Sequence, residues 1–320
     1  MEGSYKKLVN AAMRGSLRAK LELNQRSYVN TGLVGINDES IVYRITDEIE
    51  TYISYINSSI DSVKSNKNFV DSVLLDSYSS ATIEGAQTTV ENVKRCIESP
   101  VTKSDKMVVN TLICQCLVYD KGIYKSSIRS IWEKLVEDVC ENEGKRGSFY
   151  RSGMVYVGSA TQIIHTPESV NRIEMQMDRL FDFCNHFVNN YIKACIVHFY
   201  FVYIHPFCDG NGRFARLWCN KILYDINPRF KDLVLSREIE KNLNSYYSSL
   251  HEAEFSYNNM IDITPFIEYL LAVIAGAVDY MTVQKYMKLS DLDNTILNKI
   301  NRDGLTLSKL SKILGVDDIM

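Results

Sequence analysis

Proline and glycine are scarce in this chain, 5 and 15 among 320 residues. With so few turn formers and so few alternating apolar runs, the sequence favours helices over a β-sandwich or barrel. None of the eight cysteines (Cys96, Cys114, Cys116, Cys140, Cys184, Cys195, Cys208, Cys219) forms a C-x-x-C pair, so the spacing of a structural zinc site is missing. They read as small buried hydrophobes of a reducing compartment. No run of about 18 apolar residues offers a membrane span, and "MEGSYKKLVNAAMRG" has no apolar signal core, so the expectation is a cytoplasmic chain with no membrane partner. The net charge of -3 argues against a nucleic-acid partner. No G-x-x-x-x-G-K-[ST] phosphate loop occurs anywhere.

What is there is mostly helical periodicity, in a chain long enough for one large or two modest domains. Residues 1–40 are polar and only loosely periodic, with a weak helical pattern in "YKKLVNAAMRGSLRAKLELNQ". From Asp47 to Leu75 apolar residues recur at helical spacing, which predicts one long or two short helices. Residues 107–140 repeat the pattern with a break at "DKGIYKSS", where Ser126 or Ser127 caps the next helix. "MVYV" at 154–157 and "QIIH" at 162–165 flank "GSAT" and predict a β-hairpin, the one clear strand signal. Pro167 suits the first turn of the helix that follows. "YIKACIVHFYFVYI" at 191–204 is apolar nearly all round, which predicts a central buried helix ending at His205-Pro206. Helices resume in "RFARLWCNKILYDI", "SREIEKNLNSYYSSLHEAE" and "ITPFIEYLLAVIAGAVDYM". The expected division is an N-terminal helical region 1–100, a core 101–285 and a small element 286–320.

The segment His205-Pro206-Phe207-Cys208-Asp209-Gly210-Asn211-Gly212-Arg213-Phe214-Ala215-Arg216 carries chemistry. A buried helix ends and delivers an imidazole to a loop. Two glycines two residues apart permit positive φ and close backbone approach to a ligand, and consecutive N–H groups there form an anion-binding nest. The loop feeds a helix N-terminus, whose free amides and dipole favour phosphate. Arg213 and Arg216 share a face of the first turn and suit more than one phosphoryl group. Asp209 would repel phosphates unless it holds a magnesium ion that bridges them. His205 suits removal of a proton from an attacking hydroxyl. Each piece alone is commonplace: a histidine before proline is usually structural, D-G-N-G is usually only a turn, and R-x-x-R is usually a solvated face. Adjacent and in this order, they describe group transfer at a nucleoside phosphate.

This segment matches the Fic-family pattern H-x-F-x-[D/E]-G-N-G-R-x-x-R at every fixed position, and the chain resembles that family over roughly residues 45–280. Gly147-Ser148-Phe149-Tyr150-Arg151 resembles the family's G-x-Y-R element with one extra residue, "ITPFIEYLL" resembles its T-P-W helix, and the hairpin looks like its flap. The resemblance implies a mostly α Fic-type helical bundle with a β-hairpin flap. It also implies a protein adenylyltransferase that moves AMP from ATP to a Tyr, Thr or Ser hydroxyl of a target protein. By the same resemblance His205 is the general base and Asp209 the Mg2+ ligand. Gly210, Asn211 and Gly212 hold the α- and β-phosphates, Arg213 and Arg216 the distal ones, and Phe207 packs inward to fix the loop. The target docks on the flap at 154–165 by adding a strand. Tyr247 is the candidate for the adenine pocket, beside an equal reading as a packing tyrosine. A homo-oligomer is compatible with the chain.

Upstream, Ser80-Ala81-Thr82-Ile83-Glu84-Gly85 fits the family's inhibitory pattern [S/T]-x-x-x-E-[G/N]. If Glu84 reaches Arg216, it occupies the group that should hold the γ-phosphate and leaves ATP misaligned for attack. Sequence spacing alone does not establish that contact. "TLSKLSKILGV" at 306–316 resembles the first two helices of a helix-turn-helix, and a recognition helix would have to start near Asp317. A truncated winged-helix-like interaction element is therefore expected at 286–320. Two other readings stand beside AMP transfer: a nucleotide-binding regulator held off permanently by Glu84, and a Fic enzyme that removes AMP or transfers another phosphate-containing group.

Overall fold

The structure, a computed structural model, describes residues 5–24, 26–63, 69–140, 149–153, 155, 157–159, 162–187 and 190–283. The loop 141–148 and the element expected at 286–320 lie outside the described residues. Helices dominate, as the composition implies, and they surround one central rod. That rod is α9 (Tyr191–Ile204), in which every residue except Val202 is buried. Asn190 starts it by accepting the Lys193 amide (2.8 Å). Around it pack α8 (Ile173–His186), α10 (Asn211–Ile226) and α13 (Thr264–Val283).

The pattern expected from Asp47 onward resolves into two helices, α3 (Asp47–Ile60) and α4 (Phe69–Ile83). Thr46 caps α3 through the Ile49 amide. After α5 (Val90–Cys96), Thr102 and Asp105 cap α6 (Lys103–Lys121) reciprocally. Ser127 does precede α7 (Ile128–Leu135), but its side chain gives no cap bond; its Oγ accepts the Tyr124 amide instead. The helices α11 (Leu235–Glu240) and α12 (Leu243–Ala253) complete the set, with α1 (Tyr5–Met13) and α2 (Leu17–Asn24) forming a small satellite cluster around Ala12, Ala19 and Leu23. Pro167 is not in a helical first turn. It lies in the irregular segment 166–169, and α8 begins only after a 3-10 turn at Val170–Arg172.

The hairpin forms as β3 (Val157–Ser159) and β4 (Gln162–His165), paired antiparallel with a register shift after Val157. It is not the only sheet. Strands β1 (Val29–Val34), β2 (Ser40–Tyr43), β5 (Ser256–Tyr257) and β6 (Met260–Asp262) form a four-stranded sheet in the order β1-β2-β6-β5. Its parallel central pair, β2 with β6, joins segments some two hundred residues apart, Ser40 opposite Met260. This sheet ties the first hundred residues to the end of the core, and residues from both share one hydrophobic core.

One apolar helix runs against the expectation that no such stretch exists: Thr264–Thr282 is long and apolar enough to cross a membrane by length and composition. Here it is 56% buried inside the protein, against α3, α9, α11 and α12.

Helix α4 meets α10 along a polar stripe. Asp76 Oδ2 accepts the Asn220 side-chain amide (3.0 Å), and Oδ1 accepts the Ser236 backbone amide at the start of α11 (2.6 Å). Ser80 then faces Arg216, and Glu84 faces Gly212. Spacings of four on both helices keep the three rungs in line. Burial pushes the Asp76 carboxyl up to about 6, against the lowering pull of Ser236, Asn220 and Arg216. A carboxyl whose pKa is higher folded than unfolded adds stability that is complete below about pH 4 and is lost as pH rises through about 6. Asp76→Asn should remove that dependence between these two values in urea denaturation at a series of pH. Asp76→Ala strands two buried donors and should cost about 1–3 kcal/mol for each.

Candidate active site

The central helix delivers His205 in a strained backbone. Its φ of 52° and ψ of 59° are left-handed, uncommon for a residue with a side chain. Arg151 holds it there. This buried guanidinium donates to the carbonyls of His205 (2.7 Å), Gly153 (3.1 Å), Ile204 (3.4 Å) and Glu168, and the Arg151 amide donates to the Pro206 carbonyl (2.9 Å). The imidazole Nδ1–H donates to the Val202 carbonyl (3.1 Å), which leaves Nε2 as the free acceptor.

Two further anchors shape the loop. Phe207 is fully buried, stacked on Trp132 at 5.1 Å between ring centres and flanked by Phe149, Phe201 and Phe214. The Asn211 side chain closes the loop on itself: Oδ1 accepts the Phe207 amide (2.9 Å) and Nδ2 donates to the Phe207 carbonyl (2.8 Å). Asn211 therefore offers a ligand its backbone amide at the head of α10, its side chain being committed. Trp132 Nε1 donates to the Asp209 carbonyl (3.0 Å). Gly210 turns the chain at φ 82°, and a Cβ there would press on Val136 at 3.1 Å.

No side chain caps α10, so its first amides are open to an anion. Arg213 and Arg216 stand behind them, both 1% exposed. Arg213 donates to the Leu135 carbonyl (3.2 Å) and pairs with Asp209 (3.4 Å). Arg216 donates through Nε to Ser80 Oγ (2.8 Å), and through Nη2 to the Ser80 carbonyl (2.9 Å) and Glu84 Oε1 (2.8 Å). Each arginine keeps one buried donor without a partner, Nε of Arg213 and Nη1 of Arg216. Arg216 Nη1 stands 3.3 Å from where a Cβ on Gly212 would lie, and a buried cationic N–H at an open helix head fits a phosphoryl oxygen.

Glu84 fills part of that cradle. It follows the last residue of α4, where Gly85 turns the chain at φ 88°. A Cβ placed on Gly212 would collide with Glu84 Oε1 and stand 3.0 Å from its carboxyl carbon. Burial works against its charge, but the Arg216 guanidinium outweighs this and holds the carboxyl below its ordinary value. Glu84 is thus an anion at the anion site.

The remaining sequence candidates fall as follows. Asp209 is 37% exposed at the mouth of the loop. Among the described residues no cluster of three acidic, His or Cys side chains could by itself hold a metal. One carboxylate beside a phosphate cradle fits a magnesium ion that shares its ligands with a nucleotide. Tyr247 is half-exposed on α12, and the charges of Glu84 and Arg216 act on its phenol. No sequence signal marks the roles of Arg151, Trp132 and His165, which act through contacts with distant backbone carbonyls. His165, at the end of β4, contacts the Tyr203 carbonyl (2.8 Å) and Glu254 (3.0 Å) and so pins the hairpin to the last turn of α9.

Residues 123–223 match the Fic/DOC family. Among curated relatives, protein adenylyltransferase fic-1 of Caenorhabditis elegans is 36% identical over 121 residues, which are 38% of this chain and 22% of that protein. The protein of the same name from Caenorhabditis briggsae is 31% identical over 156 residues, 48% of this chain and 28% of that one. The chain thus spans about a quarter of the length of these relatives. A Fic family protein from Desulfovibrio desulfuricans shares the fold, with a TM-score of 0.66 over 86% of both chains at 23% identity.

Burial, partly offset by the Val202 carbonyl, pushes the His205 imidazole down to about 4. Unfolded, it would take a proton near 6.5, so this group's contribution to stability is present above about 6.5 and lost as pH falls toward 4. In histidine-selective NMR His205 should titrate near 4, and removal of the neighbouring positive charge by Arg151→Met should raise that midpoint. A midpoint at 6.5 in the unmutated protein would contradict the buried geometry.

Proposed function

We propose that this chain is a protein adenylyltransferase that moves AMP from ATP to a Tyr, Thr or Ser hydroxyl of a target protein and is restrained by Glu84. The observation that carries the reading is the neutral His205 imidazole beside an uncapped helix head with two buried arginines, each holding an unpaired donor. Nε2 of His205 takes the proton of the incoming hydroxyl. The hydroxyl oxygen bonds to the α-phosphorus, the bond from that phosphorus to the bridging oxygen breaks, and pyrophosphate leaves. Backbone amides of Asn211, Gly212 and Arg213 and the two guanidiniums hold the phosphates against the growing charge. A magnesium ion on Asp209 would screen charge on the phosphates. The target strand pairs with the β3–β4 hairpin and so brings its hydroxyl to the loop. The two curated relatives' names agree with this chemistry.

Glu84 restrains transfer because its carboxylate and a phosphate compete for Gly212 and Arg216. Incubation with α-labelled ATP and magnesium tests the whole. The unmutated chain should label protein weakly, and Glu84→Gly should raise labelling at least about tenfold, the equivalent of one charge-assisted contact of roughly 1.5–3 kcal/mol. Adding His205→Ala should cut the released activity by about 10²–10⁴-fold while ATP binding persists. Adding Arg216→Ala should also abolish it. Equal labelling with and without Glu84 would refute the restraint. ATP binding without transfer in Glu84→Gly would instead make the chain a nucleotide-binding regulator.

A further inference from the structure

Cys208 sits in the loop itself, between the buried anchor Phe207 and Asp209. Its sulfur lies 3.8 Å from that of Cys140. Cys140 follows the turn 136–139 that ends α7, and α7 together with this turn runs along the loop. Trp132 bonds to the Asp209 carbonyl, Leu135 accepts from Arg213, Val136 is the first contact a Cβ on Gly210 would meet, and Cys140 meets Cys208. Cys140 is buried, whereas Cys208 is partly exposed, so a small oxidant reaches the pair from the loop side.

We propose that Cys140 and Cys208 are a modification site, a thiol pair that a peroxide converts reversibly to a disulfide and that thereby disables the loop. The Cys208 thiolate attacks hydrogen peroxide, the O–O bond breaks, and a sulfenic acid and one water form. The Cys140 thiol then displaces the sulfenic oxygen as a second water, and the S–S bond forms. Two thiols lose two electrons and two protons in all, and one peroxide becomes two waters. An external dithiol reverses the step by exchange.

A disulfide brings the sulfurs to about 2.05 Å, so the gap of 3.8 Å must close by nearly half its length. The loop has little freedom to absorb this, since Phe207 is locked into the aromatic core and the Asp209 carbonyl is held by Trp132. A displacement of about 1 Å at a transfer site costs on the order of a hundredfold in rate.

The loss of transfer rests on the adenylyltransferase reading, but the cross-link does not. The full chain is treated with hydrogen peroxide and mapped by mass spectrometry without reduction. A peptide pair joining Cys140 to Cys208, two hydrogens lighter than its thiol form and restored by dithiothreitol, is expected. In the Glu84→Gly background, peroxide should lower transfer about a hundredfold, reversibly. Cys140→Ser in that background should transfer normally and resist peroxide. The proposal is overturned if mapping finds no such pair, or if Cys140→Ser is inactivated to the same extent. If Glu84→Gly shows no transfer at all, the adenylyltransferase reading fails, and the mapped pair still decides whether the site exists.

Discussion

The cation of Arg216 is sealed in the core, and much of the site's arrangement follows from that. A buried guanidinium needs acceptors, because an unpaired charge away from water is far costlier than a lost hydrogen bond. Helix α4 supplies them as Ser80 and Glu84. The same helix is fastened one turn further back by Asp76, to Asn220 on α10 and to the head of α11. Withdrawing α4 as a body would strand all of these groups at once. Release has to be local, at the end of the helix, where Glu84 is the only rung with substantial exposure, 32% of its side chain. The restraint we propose is then a side-chain exchange: a phosphate takes the place of a carboxylate on the same guanidinium, and the core stays closed.

The other half of the site depends on a different set of anchors. His205 adopts a left-handed backbone that a side chain adopts only when its surroundings enforce it. The enforcement comes from Arg151, whose donors gather the carbonyls of residues on both sides of the bend. Phe207, Asn211 and Trp132 fix the next residues. His205 and the head of α10 are thus positioned by separate contacts, so the restraint we propose could be lifted at Glu84 with His205 left in place.

The sequence made some of this legible and hid the rest for physical reasons. The run Tyr191–Ile204 is apolar on every face, and only a buried helix satisfies such a pattern. The loop after it carries its chemistry in consecutive residues, so spacing alone exposes it. The four-stranded sheet was missed because its strands are two to six residues long and its central pairing is non-local. No local period reports a partner two hundred residues away. Asn211 is expected from the family resemblance to hold phosphate, but hydrogen bonds to Phe207 use its side chain, a closure that type and spacing do not reveal. The Ser80 to Glu84 spacing was visible, whereas the Arg216 contact needed the fold to lay α4 along α10.

Charge in the resting site is balanced pair by pair: Asp209 with Arg213 and Glu84 with Arg216. The pairs are unequal. Asp209 reaches Arg213 at 3.4 Å, an ion pair of marginal hydrogen-bond length, from a side chain 37% exposed. Glu84 reaches Arg216 at 2.8 Å, with Ser80 supporting the same guanidinium. Contacts to charged groups weaken with length and with exposure, so the Asp209 pair gives way more readily. Phosphates entering at the head of α10 would meet the Arg213 side first, while the Arg216 side stays occupied. Under the proposed function, a nucleotide would then be held yet lack its last contact, the condition under which a restraint slows transfer without preventing binding.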